Sequence, residues 1–457
     1  MRLLITGLLV LSISFFSCRK DEHITADPNA RLSFSQDSLL FDTIFTAVGS
    51  VTRKIKIFNR NDDALNISAI KLEGGSASAF SININGENTF NKTNLVLNGG
   101  DSLNIFIKVI INPNSKDLPF LVQDSISVNT NGNSQVIQLI AYGQNAVFIS
   151  NGVIDKNSSW TNQLPYLIND GLTIKNGVSL TIQPGTKIYF HKDAVLNVNG
   201  SLIANGTFKD PILFGGDRLE IAYSNQPGQW QGINFNSTGN GNINYAIIKN
   251  ASVGITSDSL GKNANPKLIL SNSIVKNMQV AAFIGNHTEL IAFNNLMYNC
   301  GNYLIYAVGG GNYNLKQNTF AGYNPSFPRK TAALIFSDYL SNQRYNNLKI
   351  NLVNNIIWGS LVNELDIQKK TSAIVESTIL TNLIKTTTTS YNNTNTLNID
   401  PLFISALLEN YELSNNSSGL RKGSDLNLDL YYNSILNKDL KNKNRQFPST
   451  LGCFENY

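Results

Sequence analysis

The chain has 457 residues, 36 basic against 31 acidic for a formal charge of +5, and only 15% of it is charged against 42% hydrophobic. With 23 Phe and 17 Tyr it carries the large apolar side chains that disordered chains lack, while 33 Gly and 12 Pro are too few for collagen-like or proline-rich classes. Polarity falls instead to Asn, about one residue in seven, far above ordinary usage.

In chain order, Arg2 precedes an apolar run from Leu3 to Phe16 that stops at Ser17-Cys18. About fourteen residues is short for a bilayer span and suits an export signal, residues 1–17, that is no part of the fold. The end of the run, Phe15-Phe16-Ser17-Cys18, resembles the lipobox of bacterial lipoproteins, with Phe15 where Leu is usual. That resemblance implies an acylated Cys18 as first mature residue; a plain secretory signal with an incidental Cys18 is the alternative. Lys20, Asp21 and Glu22 behind it resemble the lipoprotein export signal of Bacteroidetes, which implies an outer-membrane protein facing the exterior, with a periplasmic face as the alternative. Several acyl chains hold far better than one, at about 0.8 kcal/mol per buried CH₂. No later segment is apolar for the roughly eighteen residues of a span, so the lipid is the expected membrane attachment.

A tether, residues 18–30, leads into 31–145, where short segments alternate apolar and polar residues between Asn/Gly/Pro clusters. Thr52 to Phe58 ends at Asn59-Arg60-Asn61, Leu65 to Leu72 at Gly74-Gly75, Ser102 to Ile111 at Asn112-Pro113-Asn114, and Ser125 to Asn129 at Asn131-Gly132-Asn133. This pattern predicts an antiparallel β-sandwich. Leu39-Leu40-Phe41-Asp42, Asn98-Gly99-Gly100-Asp101 and Ile137 to Gly143 resemble the immunoglobulin-like modules of bacterial surface proteins. Nine basic and nine acidic residues cancel here, so nucleic acid is not an expected partner.

Residues 146–410 read as a solenoid. Leu172-Thr173-Ile174, Leu180-Thr181-Ile182-Gln183-Pro184-Gly185-Thr186, Leu196 to Thr207, Pro211 to Phe214 and Trp230 to Phe235 are short strands ending at Gly or Asn, which tolerate the left-handed backbone of a coil corner. Asn recurs at Asn250, Asn277, Asn299, Asn318 and Asn354-Asn355, at intervals of one coil except between Asn318 and Asn354, where an insertion from Tyr323 to Asn347 is expected. An Asn ladder along the stack accounts for the repetition, and a polar ligand groove is the other reading. Residues 160–235 resemble the first coils of right-handed parallel β-helix proteins of Bacteroidetes. Asp400-Pro401-Leu402-Phe403 and Leu451 to Glu455 resemble their closing segments, which implies that residues 411–457 cap the last coil's open edge. The expected fold class is all-β: an immunoglobulin-like sandwich followed by a right-handed parallel β-helix.

Chemistry is sparse. His23, His191 and His287 are isolated, and Cys300 and Cys453 read as small buried hydrophobes with a bridge between them left open, so no metal and no cofactor is expected. Asp217/Glu220 and Glu364/Asp366 are the close acidic pairs; in a strand the latter two would share a face. Val308-Gly309-Gly310-Gly311-Asn312 lacks a following helical pattern and reads as a turn. No catalytic residue is assigned. The ligand-binding candidates are Tyr323, Arg329, Tyr339 and Arg344, with Phe327, Lys330 and Tyr345 beside them, because flat rings next to polar groups suit sugar faces; packing of the insertion on the solenoid is the competing reading. Five Asp-Ser/Thr-aliphatic triplets, beginning at Asp37, Asp42, Asp101, Asp124 and Asp258, resemble the O-glycosylation motif of Bacteroidetes. Three functions stay open: a non-catalytic surface lipoprotein with a glycan or another envelope protein as partner, a polysaccharide lyase or hydrolase, and a structural envelope component.

Overall fold

The protein is described by a computed structural model that covers residues 23–262, 265–324, 328–341 and 344–456. The export signal, Cys18, Lys20, Asp21, Glu22 and Phe327 lie outside the described residues. The chain divides into two compact units, Met1–Asn145 and Ala146–Tyr457.

The first unit is a two-layer β structure. One five-stranded sheet has the order β1-β3-β8-β5-β6 and the other β2-β10-β9-β4-β7, where β1 is Ser33–Phe34, β2 Ser38–Phe45, β3 Arg53–Phe58, β4 Leu65–Leu72, β5 Phe80–Ile84, β6 Glu87–Asn88, β7 Asn91–Leu97, β8 Ser102–Val109, β9 Phe120–Thr130 and β10 Asn133–Gln144. Alternation makes the layers: Ile55 and Ile57 of β3, Ile105 and Ile107 of β8, and Ile137 and Leu139 of β10 all point into one shared core. The β9–β10 hairpin turns on Asn131 and Gly132, both at positive φ (48° and 75°), as a two-residue primed turn requires. The expected antiparallel order fails at one place. β2 pairs with β10 in parallel, because a chain-distant partner is free of the reversal that a hairpin imposes.

In the second unit, 25 strands stack as successive three-sided coils of a parallel, β-helix-like sheet. The first face runs through Lys187–Phe190, Ile212–Gly216, Ala246–Lys249, Ile274–Met278, Leu296–Cys300, Thr319–Gly322, Ile356–Gly359 and Leu383–Ile384. The second includes Val195–Val198, Gly232–Phe235 and Val253–Asp258; the third includes Ser179–Ile182, Ser201–Asn205, Asn240–Asn244 and Leu268–Ser271. Ala281–Phe293 and Tyr303–Lys316 run round the corner between these two faces. The glycine run expected to form a turn is therefore a bend inside a continuous strand. A Cβ on Gly310 would lie 2.4 Å from the Asn346 carbonyl oxygen, so the approach of the next coil demands glycine there. Inward residues such as Leu180, Leu202, Ile243 and Leu270 fill one dry core.

Asparagine makes the ladders. Asn250, Asn277 and Asn299 turn one corner at φ 65°, 57° and 52°. A second ladder is wholly buried: Asn295 donates its backbone N–H and Nδ2 to Asn318 Oδ1 (2.9 and 3.0 Å), Asn318 donates likewise to Asn355 (2.9 and 3.0 Å), and Asn355 to Asn382 (2.8 and 2.9 Å). Each Nδ2 also serves a backbone carbonyl, at Leu270, Ala292 and Leu315. An amide suits the position because it donates and accepts without a charge to desolvate.

Two other expectations are corrected. The insertion is not one loop, since Leu334–Ser337 is a regular wall strand paired with Tyr303–Lys316 and Leu365–Gln368; its four residues are all buried, and the extra length sits on either side of it. The C-terminal segment does not simply close the end of the last coil. It lies along the outer surface of the first face, where Leu296, Tyr298 and Ala321 pack with Tyr411, Leu440 and Cys453, and Ile356, Trp358 and Leu383 with Leu413 and Leu451. Arg445 fastens it by donating Nη2 to Asn294 Oδ1 (2.9 Å) and Nη1 to Glu455 Oε2 (3.1 Å). Tyr391 and Leu397 pack against the solenoid core near its end.

Candidate functional site

The four sequence candidates do not converge. The Arg329 side chain is fully buried and grips Glu364 through Nη2 (2.6 and 2.5 Å), while Nε donates to the Gly322 carbonyl (2.9 Å). Its charge is already met by Glu364. Tyr323 packs against Phe403 and Tyr411 beneath the C-terminal segment, and burial pushes its phenol up to about 12. Tyr339 and Arg344 belong to a small hairpin, Tyr339 half-buried with the Lys370 ammonium 5.7 Å from its ring, Arg344 exposed. Charge attraction over a separation of 35 residues placed Arg329, which its neighbours in sequence could not reveal.

The acidic pairs are also engaged. Glu364 is taken by Arg329, the Ala333 N–H (3.0 Å) and the Leu361 N–H (2.9 Å), whereas Asp366 accepts from Gln368 Nε2 (2.6 Å). Asp217 contacts His191 Nδ1 (2.6 Å), and Glu220 accepts Arg218 Nε at 3.1 Å to each oxygen, with the guanidinium 3.7 Å from the Tyr223 ring centre. Cys300 and Cys453 are free and buried, and burial pushes both thiols up to about 12, so neither is a nucleophile at neutral pH.

A groove of about 380 Å³ lies where the C-terminal segment leaves the first face bare. One wall is the outer surface of that face with the loop before it: Phe208, Tyr245, Ile247, Ile274 and Tyr298. The other is the segment itself: Asn410, Tyr411, Glu412, Lys441 and Phe454. Tyr298 and Tyr411 are buried with ring centres 5.0 Å apart; Phe208 is 48% exposed, and Tyr245, Ile247 and Phe454 are half-buried. Glu409 anchors the junction. Its Oε2 accepts from Lys276 Nζ (2.7 Å) and Tyr298 OH (2.7 Å), and its Oε1 from Asn299 Nδ2 (3.2 Å). It does so from a left-handed backbone, φ 59°, which costs a residue with a Cβ about 1–2 kcal/mol and persists only where surroundings hold it. Burial acts to raise its carboxyl, but hydrogen bonds from Lys276 and Tyr298 prevail and hold it below the usual carboxylate range. Glu409 is therefore ionised at neutral pH and has no proton to give. Glu412 takes Lys441 Nζ (2.6 Å), whose ammonium stands 5.6 Å from the Phe454 ring centre.

The groove is thus mostly rings and aliphatic carbon, edged by an amide, a carboxylate and an ammonium, a surface that stacks flat apolar faces and orients polar edges. Sequence reading missed it because seven separated stretches build it. One signal was present. Leu296-Met297-Tyr298 loses the alternation of the earlier coils, which marks a strand covered on both faces.

No family model and no curated protein matches the chain. Among solved structures it is similar to a family 123 glycoside hydrolase from Clostridium perfringens, at 14% identity and a TM-score of 0.18, over 24% of this chain and 25% of that one. The chain thus spans about a quarter of that hydrolase. It is similar to a PapD-like domain of human CEP192, at 9% identity and 0.18, over 29% of this chain and 94% of that one. With XylC, solved in complex with xylose, it shares 10% identity and a TM-score of 0.35, over 91% of this chain and 87% of that one. None of these likenesses bears on function.

Proposed function

We propose that the protein is a lipid-anchored outer-membrane protein of the Bacteroidetes type, facing the exterior, that binds carbohydrate without cleaving it. In this reading Cys18 carries the acyl chains, Lys20, Asp21 and Glu22 direct export, the first unit is an immunoglobulin-like module, and the second is a right-handed parallel β-helix. The observation that carries the binding role is the groove between the first face and the C-terminal segment, where Phe208, Tyr245 and Phe454 offer ring surface beside Asn410, Glu412 and Lys441. The ion pairs that occupy Glu409 and Glu412 favour binding over proton transfer.

A glycan array probed with the full chain tests this. The expected result is binding that weakens about tenfold or more in Phe208→Ala and Phe454→Ala, with no released oligosaccharide on prolonged incubation. Absence of binding across neutral and acidic glycans, or release of product, contradicts it. The address is tested separately: Cys18→Ala must lose acyl label, and protease added to intact cells must digest the protein.

A further inference from the structure

A second cleft, of about 400 Å³, opens at the corner where the second face leads into the third, over residues 176–179, 200–201 and 237–240 together with Leu260, Lys262, Asn265 and Lys267. Its chemistry is opposite to that of the groove. Ser179, Ser201, Ser237 and Thr238 line it with Lys262 and Lys267, and neither an acidic nor an aromatic residue is among its described lining residues.

Lys267 is the unusual member. The residue is 1% exposed, and its Nζ donates to the Asn236 carbonyl oxygen (2.5 Å). An ammonium has three donors, and among the described residues no ion pair and no other hydrogen bond of this one is found. A buried cation with one neutral acceptor is costly, and a counter-ion offsets the cost. The charged groups around it do not supply that ion. Asp258 acts on it only from a distance, Lys262 repels it, and Glu289 is spent on the backbone N–H of Lys267 (3.1 Å).

We propose that this cleft is an oxyanion site, in which the Lys267 ammonium pairs with the carboxylate or phosphate of a small polyhydroxylated ligand and the serine and threonine hydroxyls bind its remaining oxygens. The site is independent of the aromatic groove. Burial brings the Lys267 amine down to about 8, Asp258 opposing and Lys262 assisting, so the charge that holds the anion is lost as pH rises through that value.

Titration calorimetry of the full chain with glucuronate, inorganic phosphate and glucose tests the site. At pH about 7 both anions should bind at least about tenfold more tightly than glucose, the tighter anion naming the group, and glucuronate affinity should fall about tenfold by pH about 9 as the amine deprotonates. Lys267→Met, which keeps the volume and removes the charge, should abolish anion binding. Lys262→Ser, an exposed change that leaves the fold intact, should weaken it several-fold. Glucose binding as tightly as the anions, unchanged affinity in Lys267→Met, or a flat pH profile overturns the proposal. Should Lys267→Met not fold, the pH profile and Lys262→Ser decide alone.

Discussion

The early coils and the late coils of the solenoid share one inward pattern and differ on the outside. In Ser179–Ile182, Val195–Val198 and Ser201–Asn205 every second residue is at least partly solvated, and all of these but Val195 and Ile203 are polar. In Leu296–Cys300, Thr319–Gly322 and Ile356–Gly359 both sides are buried, one by the core and one by the C-terminal segment. Asparagine follows the same division: Asn199 to Asn236 is a half-buried rung, whereas Asn295 to Asn382 is a fully buried one. A repeat is thus satisfied by its neighbours along the axis, but its outer face takes whatever the rest of the chain lays upon it, and the candidate groove lies at the boundary between covered and bare coils.

The largest test of that contrast is to release the cover. Arg445→Ala leaves buried Glu455 without its cation, beside Asp439, which is also buried, and should cost about 3–5 kcal/mol, with rapid proteolysis of the segment after residue 411. An unchanged denaturation midpoint would show that the segment is merely draped. Next, Asn318→Ala should cost about 3 kcal/mol by stranding the Asn295 N–H, the Ala292 carbonyl and Asn355 Oδ1, against under about 1 kcal/mol for Asn236→Ala on the solvated side. Equal costs for the two would erase the distinction between the ladders.

A pH dependence comes third. Lys267 has a lower pKa in the fold than in the unfolded chain, so above about 8 its own contribution to stability should rise with pH, opposed by Cys300 and Cys453, whose thiols burial pushes up to about 12. Thermal melts of Lys267→Met should lack the rise. Above pH about 10 Tyr189 and Tyr323, held near 12 by burial, add to the opposing side, because they keep protons that the unfolded chain gives up. Smallest in stability is Phe208→Ala: at 48% exposure it should cost under about 0.5 kcal/mol while still weakening glycan binding.

What could be read from sequence was what neighbours along the chain decide. Short alternating strands, the Asn131-Gly132 turn and the left-handed corners at Asn250, Asn277 and Asn299 are local consequences of side-chain shape, and all are present. What could not be read was decided across distance: the parallel pairing of β2 with β10, the Arg329–Glu364 pair, and the route of the C-terminal segment. Leu334–Ser337 was hidden in an expected loop for the same reason, since an apolar tetrapeptide reveals its partners only when the coils on either side are in place.

Hydrogen exchange with and without a bound glycan reports on the groove itself. Exchange should slow at 245–247, 272–274 and 409–412, where the groove meets the edge of the C-terminal segment. Protection confined to Tyr339–Ser341 and Arg344–Tyr345, or none anywhere in the second unit under saturating ligand, would place the glycan elsewhere than in the groove.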